Sequence, residues 1–270
     1  MPIITISRGS ASGGALLAKG LVERLGYKLV SRENIVDEAA KYGVSVEELG
    51  RALLQPVGFW ERFRHERWRY LAFVQEALCE HAKNEKIIYL GHAGQFLLQG
   101  VSHVLCVMVI APMPFRIRIV MEREKMTHNK ALDYIERMDR YRKEWTRFLY
   151  GVDWLDPSLY DLTINLKTLD VDGAVDVVAT AAQRKEFQSN DASRKAMINL
   201  LLASRVQAAL AADKITASAV VDVQAENGVV YLKGKVRPIS MVDAVVQVAS
   251  RVEGVREINS KDLGAPDYNV

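Results

Sequence analysis

Ile3-Ile4-Thr5-Ile6-Ser7-Arg8-Gly9-Ser10-Ala11-Ser12-Gly13-Gly14, at the start of the chain, decides how the rest is read. Its first four residues are all β-branched, the composition of a buried strand. Small residues then make a loop. Leu16, Leu17, Leu21, Val22 and Leu25 follow at helical spacing until Gly26, a helix stop. Strand, small-residue loop and helix together offer an anion free backbone N–H groups at a helix N-terminus. A full phosphate-loop signature runs Gly, four residues, Gly, Lys, then Ser or Thr. Here Gly14 stands at the lysine position and Ala15 at the hydroxyl position. The shape of a phosphate-binding loop is present without its lysine.

The 270 residues allow one large domain or two ordinary ones. A chain 49% hydrophobic and 26% charged has the balance of a globular protein with an ample core. Its net charge of +3 makes no case for a nucleic-acid partner, and none is expected. Cys79 and Cys106 have no metal-ligand spacing, and no metal-binding residues are assigned. A reduced, cytoplasmic chain is the simple reading. No apolar run reaches the roughly 18 residues of a membrane span, and the chain opens on a strand rather than a signal peptide.

Working outward, apolar runs at 27–30, 86–91, 104–110 and 160–165 read as further strands. Helical patterns lie between them, at 32–42, 45–54, 59–84, from Pro114, from Thr127 and at 170–187. This alternation predicts an α/β domain over 1–187, a parallel sheet with helices on both faces. Ser31 reads as an N-cap, with Asn34 at the capping-box position. In 59–84, Arg62, Arg64, His65, Arg67 and Arg69 interleave with Trp60, Phe63, Trp68 and Tyr70. Two readings stand: an amphipathic helix with solvated arginines, or arginines facing a phosphate-bearing ligand or a partner subunit.

Residues 188–194 are polar and unpatterned, and read as a linker. Beyond them the texture changes. A helix at 195–213 precedes alternating strands at 220–225 and 229–235, joined at Asn227-Gly228, a hairpin signal. A helix at 238–252 and a strand at 255–259 complete a small αββαβ domain over 195–265.

Residues 1–185 resemble the cytidylate kinase-like branch of the P-loop nucleoside monophosphate kinases. The stretches that carry this are Ile4–Gly14, Ile87–Leu98, Ala111–Glu124 and Ile135–Asn165. The resemblance implies a P-loop NTPase-type fold and transfer of the ATP γ-phosphoryl to a cytidylate-like monophosphate. It implies that Arg8, Gly9, Ser10, Ala11, Ser12, Gly13 and Gly14 wrap the donor phosphates, Arg8 supplying charge the lysine normally gives. Asn165 would border the donor adenine. Arg116, Arg123, Arg137, Arg140 and Arg142 match an arginine-rich lid and its approach, the catalytic set. Phosphoryl transfer needs mostly positioning and charge neutralisation, so several arginines are the expected tool. Residues 115–147 hold 10 basic and 6 acidic side chains. Arg32, His92 and Asp139 fall on the acceptor side, Asp139 orienting an arginine or touching the acceptor base.

His92 stands where the branch usually has arginine, in Gly91-His92-Ala93, and replaces it only when protonated; capping the helix that follows is its other reading. With Ala15 lacking a hydroxyl, Mg²⁺ would be held through phosphates and water. Residues 197–263 resemble a BON domain, carried by Ile198–Leu210, Val221–Val236 and Ala249–Asn259. Such domains are implied to bind phospholipid or a protein ligand; a regulatory module is the alternative. A homo-oligomer is left open. The competing function is a nucleotide sensor that binds without turnover, its BON-like domain contacting a partner or membrane.

Overall fold

The computed structural model describes residues 1–39, 42, 64–91 and 93–264, without the side chains of Arg32, Val36, Ala39, residues 64–68 and Leu149. The helix expected at 45–54, Trp60, Arg62, Phe63 and His92 lie outside the described residues. The described helices are α1 (Gly14–Leu25), α2 (Arg32–Ala39), α3 (Arg64–Ala82), α4 (Gly94–Leu97), α5 (Met113–Glu124), α6 (His128–Tyr150), α7 (Val171–Ala182), α8 (Asp191–Ala212) and α9 (Ser240–Ser250). The strands are β1 (Ile3–Arg8), β2 (Lys28–Ser31), β3 (Ile87–Leu90), β4 (Val104–Ile110), β5 (Leu162–Asn165), β6 (Asp222–Glu226), β7 (Val229–Lys235) and β8 (Glu257–Gly264). They pack as two units, one built from residues 1–34 and 84–190, the other from 35–39, 42, 64–83 and 191–264.

The first unit is a five-stranded parallel sheet in the order β2-β3-β1-β4-β5. The opening run is its central strand. Ile4 and Ile6 point to one face, where they meet Leu17 and Leu21 of α1 and Val175 and Val178 of α7. The intervening Thr5 points to the other, where α4 lies so close that a Cβ on Gly94 would fall 2.8 Å from Thr5 Cβ. Helices therefore cover both faces, the arrangement that lets every strand be apolar. Each fully buried aliphatic side chain contributes about 1.5–3 kcal/mol.

Local signals set the helix ends. The Ser31 N–H donates to Asn34 Oδ1 (2.9 Å) and the Asn34 N–H to Ser31 Oγ (3.3 Å), a reciprocal capping box with asparagine in the acidic position. Gly26, at φ 68°, ends α1 with its N–H on Val22 O. The Asp170 carboxylate accepts from the Gly173 N–H (2.8 Å) and starts α7. That helix stops at Ala182 rather than 187, followed by a 3₁₀ turn over Lys185–Phe187. Thr127 stands at the N-cap of α6 without a side-chain capping bond.

The second unit carries the αββαβ element order, with β6 antiparallel and β8 parallel to β7. Asn227 (φ 53°) and Gly228 (φ 87°) make the hairpin turn, both at the positive φ a tight turn with native twist requires. Leu202, Val206 and Leu210 of α8, Val230 and Leu232 of β7 and Val245 and Ala249 of α9 form its core. Helix α8 begins at Asp191, inside the stretch read as a linker.

Helix α3 belongs to this second unit. Arg69 Nε donates to the Ala211 carbonyl (2.9 Å), and Arg205 reaches Glu80 Oε1 through Nε (2.6 Å) and Nη2 (2.5 Å). Lys83 takes the other oxygen of Glu80 (2.7 Å). Arg69 thus anchors a helix pair rather than facing solvent. Among the described residues no helix is long and apolar enough to cross a membrane.

Candidate active site

The site is built at the carboxyl end of β1, between β1 and β4. From these two neighbours the chain leaves in opposite directions across the sheet, β1 toward β2 and β4 toward β5. Open parallel sheets bind ligands at such a switch point. The Gly9 N–H donates to Val109 O (3.3 Å), and Ser12 Oγ donates to the same carbonyl (2.8 Å), with Gly9 O at 3.0 Å. Ser12 therefore spends its hydroxyl on pinning the loop to β4. Ala11 (φ 55°) and Gly13 (φ 88°) adopt left-handed backbone, which curls residues 9–13 round the start of α1. A Cβ on Gly13 would strike Leu166 Cδ1 at 2.6 Å, with the Phe115 ring at 3.6 Å. Ser10 Oγ is buried and has no hydrogen-bond partner among the described residues.

The Arg8 side chain lies across the Cα of Gly14, where a lysine stem would otherwise start. Arg116, near the start of α5, donates from Nε to Ser10 O (2.7 Å) and from Nη2 to Asp139 Oδ2 (2.5 Å). Arg142 donates from Nη1 to Arg8 O (3.0 Å) and stands 3.6 Å from Asp139 Oδ1. Asp139 Oδ1 also accepts the Ser10 backbone N–H (2.9 Å). Burial first, and the Arg8 cation second, pull the Arg142 guanidinium down to about 10 from 12.5, with Asp139 opposing. Two guanidiniums, Arg116 and Arg142, thus engage one carboxylate at the loop, with the Arg8 cation close enough to act on Arg142.

Phase along α6 decides which of its residues reach the loop. Ala131, Ile135, Asp139 and Arg142 recur at helical spacing on one stripe. Ala131 and Ile135 pack against Ile117 and Val120 of α5 in a small core of their own. That packing carries Asp139 and Arg142 to the loop. Arg137 and Arg140 point elsewhere: both are exposed and have no hydrogen bond or ion pair among the described residues. Arg123 lies two turns beyond Arg116, roughly 10 Å further along α5, with its Nε on Glu124 (2.7 Å). The structure therefore gathers Arg116, Arg142 and Asp139 and leaves Arg123, Arg137 and Arg140 outside the cluster. Asn165 ends β5, exposed, next to Leu166. Arg32 is the first residue of α2, and its side chain is outside the description.

A polar chain beside the loop was not anticipated from sequence. Ser7 Oγ donates to Gln95 Oε1 (3.3 Å), Gln95 Nε2 to Tyr160 OH (3.1 Å) and Tyr160 OH to Trp154 O (2.7 Å). Burial raises the Tyr160 hydroxyl above its usual range, against the Ser7 and Gln95 bonds. The indole N–H of Trp154 is buried without a partner among the described residues. The available signal was Ser7 itself, a polar residue near the end of a mostly apolar strand.

Residues 3–168 match the cytidylate kinase-like family, and residues 200–263 match the BON domain. A cytidylate kinase of Archaeoglobus fulgidus is 27% identical over 190 residues, 68% of this chain and 97% of the relative. One of Desulfurococcus amylolyticus is 30% identical over 178 residues, 65% of this chain and 89% of the relative. The crystal structure of an uncharacterized protein from Eubacterium ventriosum, 24% identical, superposes with a TM-score of 0.54 over 68% of this chain and all of that one, a likeness of fold. A strand, small-residue loop and helix at the centre of a parallel sheet, with a family match running through them and on past α6, lead to one conclusion: the chain belongs to the cytidylate kinase-like family.

Proposed function

We propose that the chain transfers the γ-phosphoryl group of ATP to a nucleoside monophosphate, cytidylate or a close relative. The observation that carries this reading is the excess of guanidinium over carboxylate where Arg116 and Arg142 share Asp139 beside a loop that presents backbone N–H groups. A triphosphate brings the missing negative charge. The buried, unpartnered Ser10 Oγ adds a donor on the same surface. Relatives named cytidylate kinase support the choice of acceptor.

In this reading the N–H groups of Ala11, Gly13 and Gly14, joined by that of Ser10, hold the donor phosphates, while those of Gly9 and Ser12 stay on Val109 O and Gly9 O and keep the loop in shape. Arg8 stands in for the absent lysine from the side of Gly14. Arg116 and Arg142 neutralise charge that spreads over the equatorial oxygens of the transferring group, fixed in advance by α5 and α6. Fixed donors cost no reorganisation as the bond breaks. Leu166 and Phe115, beside Gly13, offer the adenine an apolar wall, with Asn165 at its edge. Ser7, Gln95 and Tyr160 lie on the side left for the acceptor. Bound Mg²⁺ would supply positive charge to the donor phosphates. Ala15 brings no hydroxyl, so phosphate oxygens and water would supply its ligands. Residues 195–265 act as an appended regulatory module, and the chain works in the cytoplasm.

The test is ADP release from purified full-length protein with ATP, Mg²⁺ and each common monophosphate in turn. CMP or a pyrimidine analogue is expected to give the fastest release. No ADP above background with any acceptor would overturn the reading. Tight ATP binding without transfer would support a nucleotide sensor in its place.

A further inference from the structure

The carboxylate of Asp139 sits on a donor that a nucleotide needs. Its Oδ1 accepts the Ser10 N–H (2.9 Å), in the loop whose N–H groups are the phosphate contacts of the proposed function. Its Oδ2 binds Arg116 Nη2 (2.5 Å), and Arg142 stands 3.6 Å from Oδ1. A carboxylate that accepts a loop N–H and engages two guanidiniums makes the contacts a phosphoryl group would make. We infer that Asp139 is a built-in competitor for the anion position of the loop, a positioning residue that each incoming triphosphate must displace.

This rests on the nucleotide-binding reading and adds to it. Two anions cannot share the Ser10 N–H and the Arg116 fork at hydrogen-bond distance without strong repulsion. The phosphate therefore takes Arg116 and Arg142, and Asp139 turns away from the loop. Arg116 Nε on Ser10 O and Arg142 Nη1 on Arg8 O are bonds to loop carbonyls, so both arginines stay in reach while their carboxylate partner leaves. Helices α5 and α6 are joined by their own apolar cluster of Ile117, Val120, Ala131 and Ile135. Release of Asp139 thus acts on this helix pair as one body. The carboxylate also keeps Arg116 and Arg142 from facing one another without a counter-charge.

The test compares wild type, Asp139→Asn and Asp139→Glu in calorimetric titrations with ATP and with inorganic tripolyphosphate. Losing a charged competitor is expected to tighten both ligands about tenfold in the Asn variant, with Glu returning most of the wild-type affinity. Steady-state kinetics should show KM for ATP falling with kcat little changed, because Asp139 has already left Arg116 once the triphosphate is bound. A merely structural role would raise KM. NMR of the wild-type protein needs no variant: tripolyphosphate should shift the Ser10 amide and the Asp139 carboxyl carbon together. Binding by wild type with weaker or equal binding by the Asn variant, or a Ser10 shift without an Asp139 shift, overturns the inference alone. No binding of either ligand by wild type overturns the nucleotide reading and the inference with it.

Discussion

Arg8 and Gly14 share one space: a Cβ at position 14 would lie 2.5 Å from Arg8 Cδ and 3.0 Å from Arg8 Cβ. The absent lysine and the arginine before the loop are therefore one feature. Either side chain fits there, and the other must go. Restoring the usual lysine by Gly14→Lys is expected to harm the protein. It should displace Arg8 and weaken ATP binding by about tenfold or more. Titration calorimetry checks this, and tighter binding in that variant would show the two cations to be additive.

Arg116 and Arg123 lie on the same helix but have different fates. Arg116→Ala removes a fork that touches both Ser10 O and Asp139, and kcat should fall about a hundredfold. Arg123 is exposed and held by Glu124, so Arg123→Ala should change kcat by less than about threefold. Side-by-side kinetics with ATP and CMP decide the point, with equal losses counting against the geometry.

A depressed arginine gives the molecule a titration at high pH. Arg142 has its cation disfavoured in the folded chain, at about 10 against 12.5. Its charge therefore costs stability at lower pH, and that cost is relieved as pH rises from about 10 toward 12.5. Anion binding runs the other way, since the neutral side chain no longer attracts phosphate. Tripolyphosphate affinity should drop as pH passes about 10, and Arg142→Lys should move or abolish that step.

The two thiols should be inert in the folded protein. Burial pushes Cys79 up to about 12 and Cys106 up to about 11, so almost no thiolate exists near neutrality. Ellman's reagent at pH 8 is expected to find no fast thiol until denaturant is added. Prompt reaction of one thiol in native protein would show that its cover opens readily.

The strand-loop-helix opening could be read from sequence because its signals are local: β-branched residues, then small ones, then a helical repeat closed by Gly26. The Ser31–Asn34 capping box and the Asn227-Gly228 turn were legible for the same reason. Which arginines reach the loop was not. Arg137, Arg140 and Arg142 lie within two turns of one another, and only the phase set by packing Ala131 and Ile135 of α6 against α5 separates them. The pairing of α3 with α8 was out of reach too, since Arg69 meets Ala211 across 142 residues of chain.

That last pairing bears on how the protein could be divided. Helix α3 is encoded between two strands of the parallel sheet, yet it is folded with the helix that leads into β6. A stop codon after residue 190 would delete the helix against which α3 is laid. It would leave Phe73, Ala77 and Leu78, all at 0% exposure in the native chain, on a helix stripped of that support. A kinase fragment made by such a cut should misfold or aggregate, so full-length protein is the proper material for every assay. A truncation between the two matched regions therefore removes the partner of a helix encoded upstream of the cut.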